Sequence, residues 1–400
     1  MSGSDGLVVS RDRTETAKVL FATLVGTMDN NALIPVITFY AIALGADWFL
    51  AGVIVGAYSL VHIPANIVFG RLADRIGRKR PLVYGLLWDA VSLALYAAAG
   101  SPLALLLVRL SHGLGGGFVG PASMALVSDR ADAARKGRAF AMYGISIAVA
   151  VILGFAVAGV ASARGDLRTM FFGLSFALWA GALVASRIRE PAGRGPPSRV
   201  DLSAFLQFLR YRGAVGGYAA IFALYLLLGA LIVLAPLEFA GPPVFLTASS
   251  FAVALVVFAV VSVVVHYPSG MLSDRLGPHI PCILGLVAVS GAMGLLPSVT
   301  TFPTLLALMA LFGLGHGLIF PSSSALATRH ARRESLGLAT GVYFALLVTG
   351  VAVGAPLAGA MATAWTPAPA FLAIAVVAVI SLAFLAPAAI AGRETLRSPE

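Results

Sequence analysis

Apolar and polar positions alternate along this chain in long, regular blocks. Apolar stretches run over 17–45, 47–69, 81–100, 102–127, 138–163, 167–187, 213–240, 246–269, 280–300, 303–327, 337–363 and 367–391. At about 1.5 Å of rise per residue, each is long enough as a helix to cross a hydrocarbon core of roughly 30 Å. The pattern therefore predicts an all-α membrane protein with twelve transmembrane helices. The polar blocks then repeat at an offset of 200 residues. Gly70-Arg71-Leu72-Ala73-Asp74-Arg75-Ile76-Gly77 returns as Gly270-Met271-Leu272-Ser273-Asp274-Arg275-Leu276-Gly277. Gly113-Leu114-Gly115-Gly116-Gly117 returns as Gly313-Leu314-Gly315-His316-Gly317, and Pro81, Pro121, Tyr143 and Gly154 each recur 200 residues later. A repeat of this length in a membrane chain predicts two pseudo-twofold-related six-helix bundles with a site between them. The expected bundles are 1–189 and 213–400. Between them, 190–212 reads as a cytoplasmic linker, Pro/Gly-rich over 190–198, followed by Leu202, Phe205, Leu206 and Leu209 at the spacing of a short interfacial helix.

Composition sharpens this reading. The chain is 59% hydrophobic and 11% charged, whereas a soluble domain carries about 25% charged residues; the mean hydropathy is +0.95. All Lys and Arg except Arg109, Arg164 and Arg168 fall in the termini and in alternate loops. Because such cations are retained on the inner side, both termini are expected to be cytoplasmic. The net charge of +10 then lies in one plane facing anionic lipid head groups, so lipids rather than nucleic acid are the expected partners. Met1–Thr16 lacks the apolar core of a cleaved signal peptide, which makes the first span its own insertion signal. The single cysteine, Cys282, excludes an internal disulfide and a cysteine metal site. No cofactor or metal is expected, and the chain is expected to act as a monomer.

Ionisable residues inside the apolar blocks mark candidate chemistry, since each is costly in hydrocarbon. Asp29 lies about 16 Å beyond Lys18 along its helix, Asp89 about 12 Å beyond Pro81 and Arg109 about 10 Å beyond Pro102. Their counterparts in the repeat are Gly229, Val289 and Met309, so the charge is confined to the first half. A buried carboxylate takes and releases a proton as its surroundings change, which makes Asp29 the first candidate for a proton carrier. Arg109 keeps its proton, and with Asp89 and His112 it completes the proton-coupling set. His112 and His316 are candidate relays or interhelical hydrogen-bonding groups. Tyr218, Phe222 and Tyr225 share one face of the seventh span. With Asn30, Asn31, Phe39, Tyr143, His316 and Tyr343 they are expected to line an aromatic substrate cavity. The glycine runs lie inside apolar spans with no preceding strand, so they read as close helix packing rather than a nucleotide fingerprint.

The loop Gly70-Arg71-Leu72-Ala73-Asp74-Arg75-Ile76-Gly77-Arg78-Lys79-Arg80 resembles the signature of the major facilitator superfamily. Arg109-Leu110-Ser111-His112-Gly113-Leu114-Gly115 resembles a fourth-span pattern of the same superfamily associated with proton coupling in its exporters. Asp29 followed by Leu33-Ile34-Pro35-Val36, with Asp89 in the third span, is similar to the twelve-helix drug/proton antiporters, the tetracycline exporters in particular. The resemblance implies alternating access and export of lipophilic, drug-like molecules in exchange for protons, in a prokaryotic plasma membrane. It also implies a gating latch at Gly70, Asp74, Arg75, Gly77 and Arg78, with Asp274 and Arg275 in the second copy. There, Pro278, His279 and Ile280 replace the cluster Arg78, Lys79 and Arg80. Thr38 stands where the family has a second proline, and Gly154-Phe155-Ala156-Val157-Ala158-Gly159 replaces the exporter pattern of the fifth span. These departures keep open a rival reading, proton symport or facilitated uptake of a small nutrient or organic anion, with Arg109 binding substrate. A non-transporting receptor would have no use for such costly buried charges, and no nucleophile with an adjacent base points to an enzyme.

Overall fold

The computed structural model describes residues 2–130, 136–190, 212–328 and 336–395, which are almost entirely helical. The expected interfacial helix over 202–209 and nearly all of the linker lie outside the described residues. The helices in chain order are α1 (Ser2–Leu33), α2 (Ile37–Ala43), α3 (Trp48–Ile76), α4 (Lys79–Tyr96), α5 (Pro102–Arg130), α6 (Lys136–Ala163) and α7 (Leu167–Ser186). They continue with α8 (Arg212–Phe239), α9 (Ala248–Leu276), α10 (His279–Leu295), α11 (Phe302–Thr328), α12 (Leu336–Ala364) and α13 (Pro367–Thr395). Ten of these are long and apolar enough to cross a membrane, and α1 with α2 forms an eleventh span bent by 46°. The bend falls at Pro35, which has no backbone N–H to continue the helical ladder; the Val36 N–H instead donates to the Leu33 carbonyl at 3.1 Å. The twelfth span is α4, less apolar because its 18 residues include Lys79, Arg80 and Asp89.

The 200-residue register of the sequence is preserved in the elements. Trp48 and Ala248 begin α3 and α9, Pro102 and Phe302 begin α5 and α11, and Leu167 and Pro367 begin α7 and α13. Packing repeats with them: α1 lies on α6 as α8 lies on α12, and α4 lies on α5 and α7 as α10 lies on α11 and α13. A hydrogen bond repeats too. Tyr143 and Ser123 hydroxyls are 3.2 Å apart on α6 and α5, and Tyr343 and Ser323 hydroxyls are 2.9 Å apart on α12 and α11.

The chain forms two compact units, Met1–Ile37 with Leu60–Ser198, and Thr38–Ser59 with Arg199–Glu400. In the second unit, 38–59 is drawn in by small residues. A Cβ on Gly52 would come within 2.5 Å of the Ala355 carbonyl, and one on Gly56 within 2.9 Å of Pro356. Thr38 adds a hydrogen bond to the Ile232 carbonyl at 2.9 Å. Helix starts outside the spans are capped by side chains: Thr247 and Ser250 form a reciprocal box at α9, and Asp166 accepts from the Thr169 N–H at 2.9 Å at α7. That hydrogen bonding holds the Asp166 carboxyl below the usual carboxylate range.

Candidate functional site

The first unit holds a cluster of charge in its interior. Asp29 on α1, Asp89 on α4, and Arg109 and His112 on α5 are each 3% exposed or less. His112 Nε2 lies 3.1 Å from Asp29 Oδ2 and 3.9 Å from Asp89 Oδ1, so one imidazole nitrogen faces both acids. The other nitrogen, Nδ1, is 3.3 Å from the Tyr96 hydroxyl, which also hydrogen-bonds the Arg109 guanidinium. Asp29 accepts the Asn30 N–H at 2.5 Å. Among the described residues, none donates a hydrogen bond to either oxygen of Asp89.

Helical geometry explains the assembly. Asp89 and Tyr96 are two turns apart on one face of α4, and Arg109 and His112 are one turn apart on α5. The seam between these helices is thin because of Gly115: a Cβ there would stand 1.9 Å from Asp89 Oδ1. On the outer face of the seam, the Trp88 indole donates to the Ser111 carbonyl at 2.9 Å. Two carboxylates and one guanidinium leave room for one further positive charge, and an unneutralised buried carboxylate is very costly. A proton or a small cation placed between the carboxylates would offset that cost. The ligand atoms of Asp29, Asp89 and His112 all lie within 4.8 Å of one another. No metal-ligand spacing appears in the sequence because the three residues come from three separate helices.

The basic loop is anchored within the same unit. Gly77 sits at φ +96°, a left-handed turn that favours glycine, and leads into α4. The Arg78 and Lys79 N–H groups donate to the two carboxylate oxygens of Glu190 at 2.6 and 3.1 Å. Arg78 also pairs with Asp129, at the end of α5, at 2.6 Å. Glu15 accepts the Arg189 N–H at 2.8 Å and pairs with Lys18 at 2.7 Å. Asp129 at the end of α5 and Glu190 after α7 are therefore tied to the start of α4, and Glu15 of α1 joins the segment after α7 at Arg189; sequence reasoning did not single out these three acids. Arg75, Asp274 and Arg275 are exposed and Gly70 is half-buried; the Asp74 side chain lies outside the described residues.

The remaining expected positions are scattered over both units. Asn31 donates to the Thr27 carbonyl at 2.7 Å, and Asn30 is half-buried beside it. Phe39 meets Phe251 edge-on at 6.4 Å. Tyr218 is buried and donates to the Ala339 carbonyl at 3.0 Å, and Tyr343, also buried, donates to the Phe320 carbonyl at 2.9 Å. Phe222 is half-buried. Tyr225 and His316 do come together, with Tyr225 OH 3.4 Å from His316 Nε2.

Comparison with known proteins agrees with this architecture. A bacterial homologue of the human lysosomal transporter Spinster, solved in an inward-facing, unoccupied conformation, superposes with a TM-score of 0.80 at 15% identity over 97% of this chain and 99% of its own. An MFS-type transporter of Methanocaldococcus jannaschii is 23% identical over 86% of this chain and 89% of its own. The multidrug resistance protein MdtG of Dickeya zeae is 27% identical over 77% of this chain and 78% of its own. The family model of the Major Facilitator Superfamily matches residues 19–266 and 218–399. With twelve spans in a 200-residue repeat and matches running over residues 19–399, this chain is an integral membrane transporter belonging to the Major Facilitator Superfamily.

Proposed function

We propose that the chain exports lipophilic small molecules in exchange for protons, and that the exchanged proton resides at the Asp29–His112–Asp89 centre. The observation that carries this reading is Asp89, fully buried, with no hydrogen-bond donor at either oxygen among the described residues, beside an imidazole shared with a second carboxylate. A proton arriving there supplies the missing positive charge, and its departure leaves two carboxylates to repel each other across His112. Such a change in repulsion biases a two-state packing. Tyr96 holds His112 with Nε2 towards the acids, and Arg109 supplies the fixed charge. In this reading the bundles 1–189 and 213–400 move about the linker 190–212 with the basic loop cytoplasmic, in a prokaryotic plasma membrane, and the protein works as a monomer. The multidrug resistance relative supports a lipophilic cargo.

The test is transport of a neutral lipophilic dye, N-phenyl-1-naphthylamine, in proteoliposomes under an imposed pH gradient. Asp89→Asn and Asp29→Asn are expected to reduce gradient-driven flux about tenfold or more while leaving dye exchange without a gradient intact. Gradient-driven flux that survives in both variants removes the proposed proton site.

A further inference from the structure

The second unit contains a polar thread inside an aromatic frame, separate from the carboxylate centre. His316 on α11 lies 2.7 Å from the Ser262 hydroxyl through Nδ1 and 3.4 Å from the Tyr225 hydroxyl through Nε2. Its ring stacks on Phe320 at 5.9 Å and 9°, and meets Phe258 edge-on at 5.3 Å. His266, one turn after Ser262 on α9, stands 6.1 Å from the His316 ring. Three helices, α8, α9 and α11, supply these groups. Tyr225, His266, His316 and Phe320 all keep part of their surface accessible.

Charge is distributed unevenly around this frame. The carboxylates of the second unit whose side chains the structure describes are Asp47, Glu238 and Asp274. Glu238 is about 20 Å along α8 from Tyr225, and Asp274 is about 12 Å along α9 from His266. The titratable groups facing His316 are Tyr225 from α8 and His266 from α9, with Tyr343 of α12 edge-on to Phe320 at 6.1 Å. Cys282 of α10 is buried. Every ionisable side chain lining the frame is therefore a hydroxyl or an imidazole. These groups donate hydrogen bonds, and none of them carries a negative charge near neutral pH. Among the described residues of the second unit, an organic cation placed here would meet ring faces but no counter-charge, whereas an anion would meet donors.

From this we infer that Tyr225, His266 and His316 form a cargo subsite for a planar aromatic molecule bearing a carboxylate or similar anionic group. The inference rests on the reading of the chain as an exporter of lipophilic molecules and names the class of cargo. The ring lies against Phe320, and the anionic group accepts from Tyr225 and the imidazoles.

The experiment is equilibrium binding to the purified full-length protein in detergent, using 2-naphthoate, 2-naphthamide and 2-naphthyltrimethylammonium. 2-Naphthoate is expected to bind about tenfold or more tightly than the ammonium probe. His316→Gln and Tyr225→Phe are each expected to weaken 2-naphthoate about fivefold or more. His266→Gln provides a second arm if His316→Gln does not fold. Equal or tighter binding of the ammonium probe overturns the inference. So does 2-naphthoate affinity that none of the variants moves, or no binding of any probe at millimolar concentration. Because no gradient is imposed, this outcome is independent of whether protons drive transport.

Discussion

At Gly115 the exchange of one hydrogen for a methyl group separates packing from chemistry. Its missing Cβ is the space into which Asp89 Oδ1 projects. Gly115→Ala is therefore expected to lower stability by about 1–3 kcal/mol through overpacking, read as a fall in melting temperature of the purified protein. Tyr96→Phe removes one hydroxyl shared between His112 and Arg109. It is expected to cost about 1 kcal/mol and to shift the pH dependence of gradient-driven flux; an unchanged pH profile would show that Tyr96 only fills space. Asp29, Asp89, Arg109 and His112 stand out in the sequence because a charge in an apolar block is conspicuous. Their meeting at one imidazole does not, since nothing in linear spacing brings α1, α4 and α5 together. Tyr96 was illegible for a different reason: tyrosine is an ordinary residue of apolar helices, and only its neighbours reveal its hydroxyl as shared.

The helices show how far hydropathy reads and where it stops. It places the spans well but is blind to bending, so 17–45 reads as one stretch although Pro35 divides α1 from α2. It likewise gives no sign that Glu190, at the edge of a Pro/Gly-rich segment, closes back on the start of α4. A carboxylate on the first N–H groups of a helix is favoured both by hydrogen bonding and by the helix dipole. Glu190→Gln keeps an acceptor but loses the charge, so it is expected to destabilise by about 0.5–1 kcal/mol at low salt. The loss should shrink at high salt, as followed by thermal unfolding in a salt series. The Asp166 cap has a pH signature. Its carboxyl is held below its ordinary value by Thr169, so its stabilisation is complete above the unfolded value and disappears as pH falls through the folded one. Asp166→Ala should flatten that acid-side decline in melting temperature.

For the molecule as a whole, the repeat is the most legible feature, because a duplicated register survives in helix bounds, helix partners and even the Tyr–Ser hydrogen bonds. Its sidedness is directly testable: single cysteines placed at 75 and 275 should react with the same membrane-impermeant reagent from the same face, against a background in which Cys282 is buried. Labelling from opposite faces would be incompatible with the positive-inside reading of the loops. The two halves nevertheless differ where chemistry is concerned. Gly315 leaves beneath Val289 the hollow that Gly115 leaves beneath Asp89, a Cβ there meeting Val289 Cγ1 at 2.6 Å. With Met309 and Phe312 where the first half has Arg109 and His112, the hollow at 289 holds hydrocarbon where its twin seats a carboxylate, so duplication has conserved the mould while only one casting carries charge.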